Sequence, residues 1–252
     1  MKFGAIPHAV DVNIPTTDAL FRTVRDRLEA RSGFALATLN LDHLTKLPRD
    51  PAFLAAYRAH ELVVADGRPV VWLSQLARQP VELMPGSDLI IPLCALCSEM
   101  GVPIAMVGSS DAALDGAATA LRTAVPGLKV AYVHAPPYGF DPAGAEADAL
   151  FDALEASGAG LCFVALGAPK QELFAARGRD KAPSVGFASI GAGLDFLAGH
   201  QVRAPRVMRM LALEWLWRAL QSPMRMVPRY AKCFAILPGL VVQAIRARQT
   251  SR

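Results

Sequence analysis

The chain has 252 residues, 53% of them apolar, and its 26 basic and 22 acidic side chains leave a net charge of +4. That composition supplies a full hydrophobic core and excludes a disordered chain. The charge is unevenly laid: residues 1–199 hold 16 basic and 21 acidic side chains, whereas 200–252 hold ten Lys or Arg and a single acid, Glu214.

Residues 1–12 show no charged leader followed by an apolar run, so neither a signal peptide nor export from the cytoplasm is expected. Asp18 is placed to cap a helix running to about 30, which leads into a strand over 34–39 with Thr38 and Asn40 at its end. A helix over 41–60 contains Pro48 and Pro51 and is expected to break near Asp50. A short buried strand over 61–65 ends in Asp66-Gly67. Helical patterns follow over 69–77 and 86–100, then a strand over 102–107 that delivers Gly108. A helix over 112–124, a strand over 128–134 and a helix over 142–157 continue the alternation. The strand over 161–166 runs into Gly167-Ala168-Pro169-Lys170-Gln171-Glu172, a helix begins there, and a strand over 184–190 ends in Gly191-Ala192-Gly193.

Alternation of this kind predicts an α/β sheet with helices packed on it, and in open α/β sheets the carboxyl ends of the strands form the ligand crevice. The change in charge balance puts a boundary at 198–205, between a core of 1–199 and a helical appendage of 200–252. In that appendage Trp215, Trp217, Tyr230 and Phe234 are interleaved with Lys and Arg, a composition suited to an anionic membrane surface, where each basic residue contributes ~1 kcal/mol. RNA is the competing reading of the basic excess, and the apolar admixture favours lipid over nucleic acid. The apolar stretch over 234–245 is interrupted by Pro238, Gly239 and Gln243 and is shorter than the ~20 residues that span a bilayer, so the appendage is expected to lie on a membrane without crossing it. Cys94 and Cys97 form a C-x-x-C pair inside a helical pattern with no second pair. They are read, like Cys162 and Cys233, as ordinary buried thiols.

Among residues able to carry chemistry, Asp66 ends an apolar strand, where a partly desolvated carboxylate serves as a general base, although Asp-Gly is also a common turn. Thr38 and Asn40 offer a hydroxyl and an amide beside it, or simply a helix cap. Pro169 suits the opening of a helix whose free N–H groups bind phosphate, with Lys170 adding charge and Gln171 an orienting amide. Gly191 and Gly193 let the backbone approach a diphosphate, or make a tight turn. There is no D-x-D, so the carboxylate pair that commonly holds a metal under a nucleotide diphosphate has no obvious source. Arginine is the available substitute. Arg203, Arg206, Arg209, Arg218, Arg225 and Arg229 supply it, with Arg218 expected nearest the crevice and Arg246, Arg248 and Arg252 facing solvent or lipid.

The motifs T-L-N (38–40), A-D-G (65–67), P-G-S-D-L (85–89), L-G-A-P-K-Q-E (166–172), G-A-G-L-D-F-L-A-G (191–199), R-A-P (203–205) and L-E-W-L-W-R (213–218) together closely resemble the WecG/TagA/CpsF family of bacterial glycosyltransferases (glycosyltransferase family 26). The resemblance implies a Rossmann-like core of GT-E type with a C-terminal appendage that reaches both membrane and active site. It further implies inverting, metal-independent transfer, without a cofactor, from a UDP-sugar to a sugar on an undecaprenyl diphosphate carrier at the cytoplasmic face of the inner membrane. Carried over by motif, Asp66 resembles the family's catalytic base, Thr38 and Asn40 its substrate-positioning residues, Gln171 a donor-side ligand, and Arg218 the appendage arginine that engages the nucleotide phosphates. Many relatives carry Arg-Val where this chain has Leu83-Met84; that arginine's role is missing, moved to a residue such as Arg68, or not needed. The A-D-G-R-P-V-V-W version is most similar to the branch containing the xanthan-pathway β-1,4-glucosyltransferase, which implies glucose, with N-acetylmannosamine or its uronate as alternatives. Because Arg218 must come close to the core, the appendage is expected to close either on the membrane or in a homo-oligomer. A nicotinamide-dependent oxidoreductase would need a fuller glycine fingerprint, and a non-catalytic membrane adaptor gives no reason for residues 38, 66 and 171.

Overall fold

Six strands that read as continuous apolar runs form one parallel sheet in the computed structural model, which describes residues 1–4, 7–201, 204–205, 207–208 and 213–250. A small antiparallel pair, β1 (Lys2–Phe3) and β2 (Val10–Asp11), precedes helix α1 (Thr17–Glu29). The core then alternates: β3 (Phe34–Leu39), α2 (Leu41–Lys46), a 3-10 turn (Leu47–Arg49), α3 (Pro51–Ala59), β4 (Leu62–Ala65), α4 (Arg68–Leu76), α5 (Gly86–Glu99) and β5 (Ile104–Gly108). There follow α6 (Asp111–Ala124), β6 (Val130–His134), α7 (Ala145–Ala156), β7 (Leu161–Ala165), α8 (Lys170–Lys181), β8 (Gly186–Ser189) and α9 (Gly193–Leu197). The break expected near Asp50 is present. Pro48 opens the 3-10 turn, Pro51 opens α3, and the Asp50 carboxylate caps α3 by accepting from Phe53 N at 2.9 Å.

The strand order is β4-β3-β8-β7-β5-β6, with every neighbouring pair parallel. Residues of β3, β4, β5 and β8 are buried on both faces, as a parallel sheet covered by helices requires. Alternate side chains divide between two layers. Phe34, Leu36, Val64, Met106 and Phe163 pack with α1, α5, α6 and α9, while Ala35, Ala37, Leu39, Val63 and Val107 pack with α2, α3, α4, α7 and α8. The chain leaves β3 towards one layer through α2 and leaves the adjacent β8 towards the other through α9. These two loops therefore diverge at a topological switch point, where α/β sheets bind ligands.

The appendage contributes α10 (Glu214–Gln221) and the 28-residue α11 (Pro223–Thr250). Its expected interruption is corrected here, because α11 runs through Pro228 and Pro238, both exposed, and Pro223–Gln249 is long and apolar enough to cross a membrane by length and composition. A proline on the outward face leaves its unsatisfied carbonyl directed away from the core, where the break costs least. The helix nevertheless lies against the core: Leu240 and Ala244 join the cluster of Leu39, Val63 and Val70, and Gln243 exchanges hydrogen bonds with both backbone groups of Gly4. Arg203, Arg206, Arg209 and Arg252 lie outside the described residues.

Candidate functional site

Because all six strands run the same way, their carboxyl ends bring Asn40, Asp66, Gly108, the 166–172 loop and Gly191 to one edge of the sheet. Asp66 continues β4, its N–H donating to Leu39 O at 2.8 Å. Gly67 follows at φ +89, a conformation side chains resist, so Asp66-Gly67 does make a turn. That turn aims the half-buried Asp66 side chain at the loop after β3. There Asn40 caps α2, its Oδ1 accepting from His43 N at 3.1 Å while its Nδ2 donates to Asp66 Oδ2 at 3.4 Å. Burial pushes the Asp66 carboxyl up to about 6, and only partly do the Asn40 hydrogen bond and the Arg218 charge pull it back.

Arg218 approaches from α10. It pairs with Glu214 at 2.8 Å and lies with its guanidinium 5.5 Å from the centre of the Phe196 ring on α9. Arg225 is exposed, and Arg229 is committed elsewhere, to the buried carboxylate of Asp42 at 2.9 Å. Lys46 shares that carboxylate at 2.7 Å. Burial alone would raise the Asp42 pKa, but these two cations more than offset it and hold the carboxyl below its ordinary value. Trp215 makes edge contacts with Tyr230 and Phe234, at 5.9 and 5.4 Å between ring centres, so the appendage aromatics form a cluster of their own.

Thr38 is buried near the end of β3, in register with Val64. Gln171 is buried and spends both ends of its amide inside the protein: Oε1 accepts from Gly191 N at 3.1 Å and Nε2 donates to Glu172 Oε1 at 2.8 Å. It ties the loop after β7 to the loop after β8. Lys170 opens α8 and donates to Phe140 O at 2.7 Å. Gly108 has no room for a side chain, since a Cβ would stand 2.5 Å from the Ala165 carbonyl on β7. Gly193 packs similarly against Ile90. Leu83 bridges Ala65 and so sits beside the residue preceding Asp66. The nearby Arg68 opens α4 with its Nε buried and unpartnered among the described residues.

Three residues that carried no role in the sequence stand directly behind this edge. His43, Tyr57 and Glu172 are all buried, with His43 Nδ1 2.9 Å from Tyr57 Oη and His43 Nε2 3.9 Å from Glu172 Oε1. Burial lowers His43 to about 3 and raises Glu172 to about 7, so near neutral pH the imidazole is uncharged. The only sequence signal for them was the position of Glu172 inside the P-K-Q-E run. The four cysteines are free and buried, burial pushing Cys97 up to about 12 and leaving it unreactive. Among the described residues no three His, Cys, Asp or Glu side chains are grouped as a metal-ligand set.

Residues 7–251 match the model of the glycosyl transferase WecG/TagA/CpsF family.

Proposed function

Because the chain belongs to the WecG/TagA/CpsF family, whose members are glycosyltransferases of polysaccharide biosynthesis, we propose that it transfers a hexose from a UDP-sugar to a sugar carried on undecaprenyl diphosphate, inverting the anomeric centre without a required metal. The lean of the A-D-G-R-P-V-V-W segment is to glucose and a β-1,4 linkage, as in the xanthan-pathway branch. The observation that carries this reading is the Asp66 carboxyl, pushed up to about 6, bonded to Asn40 and faced by Arg218. Such a group is ionised at neutral pH yet basic enough to take a hydroxyl proton as its oxygen attacks.

In the proposed step, Asp66 removes the proton of the acceptor hydroxyl while that oxygen forms a bond to the anomeric carbon. The bond from the anomeric carbon to the β-phosphate oxygen breaks on the opposite face, and UDP leaves with the electron pair. Arg218 offsets the charge gathering on the diphosphate, with Arg225, Arg68 and Lys170 as further cations near its path. Thr38 and Asn40 position the reacting groups. Gly108, Gly191 and Gly193 allow close backbone approach to the donor, and Gln171 acts on the donor by holding the Gly191 turn.

Residues 1–199 form the catalytic core in this reading, and 200–252 the appendage that completes it at the cytoplasmic face of the membrane. The outward side of α11 exposes Met224, Val227, Phe234, Val241 and Val242. With its other side packed on the core through Leu240 and Ala244, the helix is suited to lie in the membrane interface rather than through it. Calorimetry with UDP, followed by mass spectrometry of products from a panel of UDP-sugars and a short-chain glucosyl diphospholipid, tests the reading. A hexosyl-extended lipid is expected; absence of both UDP binding and any extended product would overturn it.

A further inference from the structure

Asn40 has a single side-chain NH2 group with two neighbours, Asp66 Oδ2 at 3.4 Å and His43 Nε2 at 3.5 Å. Its orientation is not ambiguous, because Oδ1 accepts from His43 N at 3.1 Å and only an oxygen can face that N–H. Both contacts of the NH2 group are therefore attractive only if His43 Nε2 bears a lone pair. The ring proton must then sit on Nδ1, where Tyr57 Oη stands 2.9 Å away to accept it. Glu172 Oε1 is 3.9 Å from the same Nε2, beyond hydrogen-bond length, and already accepts from Gln171 at 2.8 Å. His43 and Tyr57 are wholly buried and locked together by edge contacts with Phe53, so the ring cannot easily turn.

From this geometry we infer that His43 is a positioning residue: a neutral imidazole, its tautomer fixed by Tyr57, that accepts from the Asn40 NH2 group and, together with the backbone N–H on Oδ1, steadies that group on one oxygen of Asp66, leaving the other for the acceptor hydroxyl. The inference rests on the reading of Asp66 as the base. The chain runs Tyr57, His43, Asn40, Asp66, from α3 through α2 to the end of β4, and its two buried members, Tyr57 and His43, reach Asp66 only through Asn40. A protonated His43 would set N–H against N–H and release the amide. Burial, which lowers His43 to about 3, keeps that state out of the working range.

The charges around the chain are those of Arg218 and Glu214 from α10 and Asp88 from α5 at Asp66, and those of Asp42 and Lys46 from α2 and Arg229 from α11 at His43. Glu172 from α8 and Asp66 face Tyr57. Substitutions at 57 or 43 leave all of these in place, which isolates the amide. Since the Asn40 hydrogen bond pulls the Asp66 pKa down, a misdirected amide moves that pKa up.

The test compares kcat against pH for the full chain, Tyr57→Phe, His43→Leu and Asp66→Asn, with UDP-glucose and short-chain glucosyl diphospholipid, the fold of each checked by circular dichroism. In Tyr57→Phe and His43→Leu the acid limb is expected to move up by roughly half a pH unit, as loss of one weak hydrogen bond gives. Rates then fall roughly threefold at pH 5.5 and recover towards wild type at pH 8.5, with KM for UDP-glucose unchanged. A purely structural loss would lower the rate at every pH and leave the limb in place; that result in the folded variants, with Asp66→Asn inactive, overturns the positioning role while the base reading stands. Full activity of Asp66→Asn removes the base and the inference with it. Should His43→Leu fail to fold, Tyr57→Phe, which deletes one oxygen, decides alone.

Discussion

Replacing Arg229 by alanine should loosen the appendage from the core by an amount that can be bounded from its contacts. The Asp42 carboxylate it meets is only 8% exposed and is also bound by Lys46 at 2.7 Å. Stranding a buried charge with no partner costs ~3–5 kcal/mol. With Lys46 still in place, a loss of about 1–2 kcal/mol is the expected fraction. The apolar anchors Leu240 and Ala244, and the Gln243 bonds to Gly4, remain, so α11 stays docked but opens roughly 5–30 times more often. Hydrogen exchange of the backbone amides over 236–248 reads this directly. They should exchange faster by that factor in Arg229→Ala while the amides of β3 and β8 keep their protection. Unchanged exchange in α11 would refute the idea that the ion triad holds the helix, and a global loss of protection would mean that the helix is part of one cooperative unit with the sheet.

Glu172 holds its proton to about 7 in the fold against an ordinary 4.5, so the unfolded chain releases that proton first as pH rises and stability is lost between about 4.5 and 7. Glu172→Gln removes this dependence, and its stability relative to wild type should rise by about 3 kcal/mol across that window and level off above it; urea midpoints at pH 4.5 and 8 check the trend, which equal differences at the two pH values would contradict. Deleting 200–252 should abolish flotation with anionic vesicles and most turnover, whereas a soluble, fully active core would contradict a role for the appendage.

The sheet was legible because its strands carry the plainest of signals, short apolar runs ending in glycine or polar residues, as at 34–40 and 161–167. The break at Asp50 was legible for an equally local reason, two prolines three residues apart flanking a capping aspartate. The appendage was misjudged where a local rule lost to packing. Pro238 and Gly239 argued for an interruption, yet both lie on an exposed side of a helix anchored from its other side by Leu240 and Ala244. At the site, the motifs named Asp66, Asn40 and Gln171 but not what their side chains hold. That Gln171 braces Gly191 follows from β7 and β8 being neighbours, and neighbouring order is not written in spacing. His43, Tyr57 and Glu172 come from α2, α3 and α8, and Tyr57 faces Glu172 only because α3 packs across α8. Residues 43, 57 and 172 share no periodicity that would have paired them, and each alone reads as an ordinary core polar group.

The most direct test of the account is the rate of sugar transfer by Asp66→Asn, measured on a protein whose UDP affinity and circular dichroism match wild type. Removing a general base should slow transfer by ~10²- to 10⁴-fold at pH 8 with little change in UDP binding. Transfer at the wild-type rate would place the proton acceptor elsewhere and contradict the role given to the end of β4.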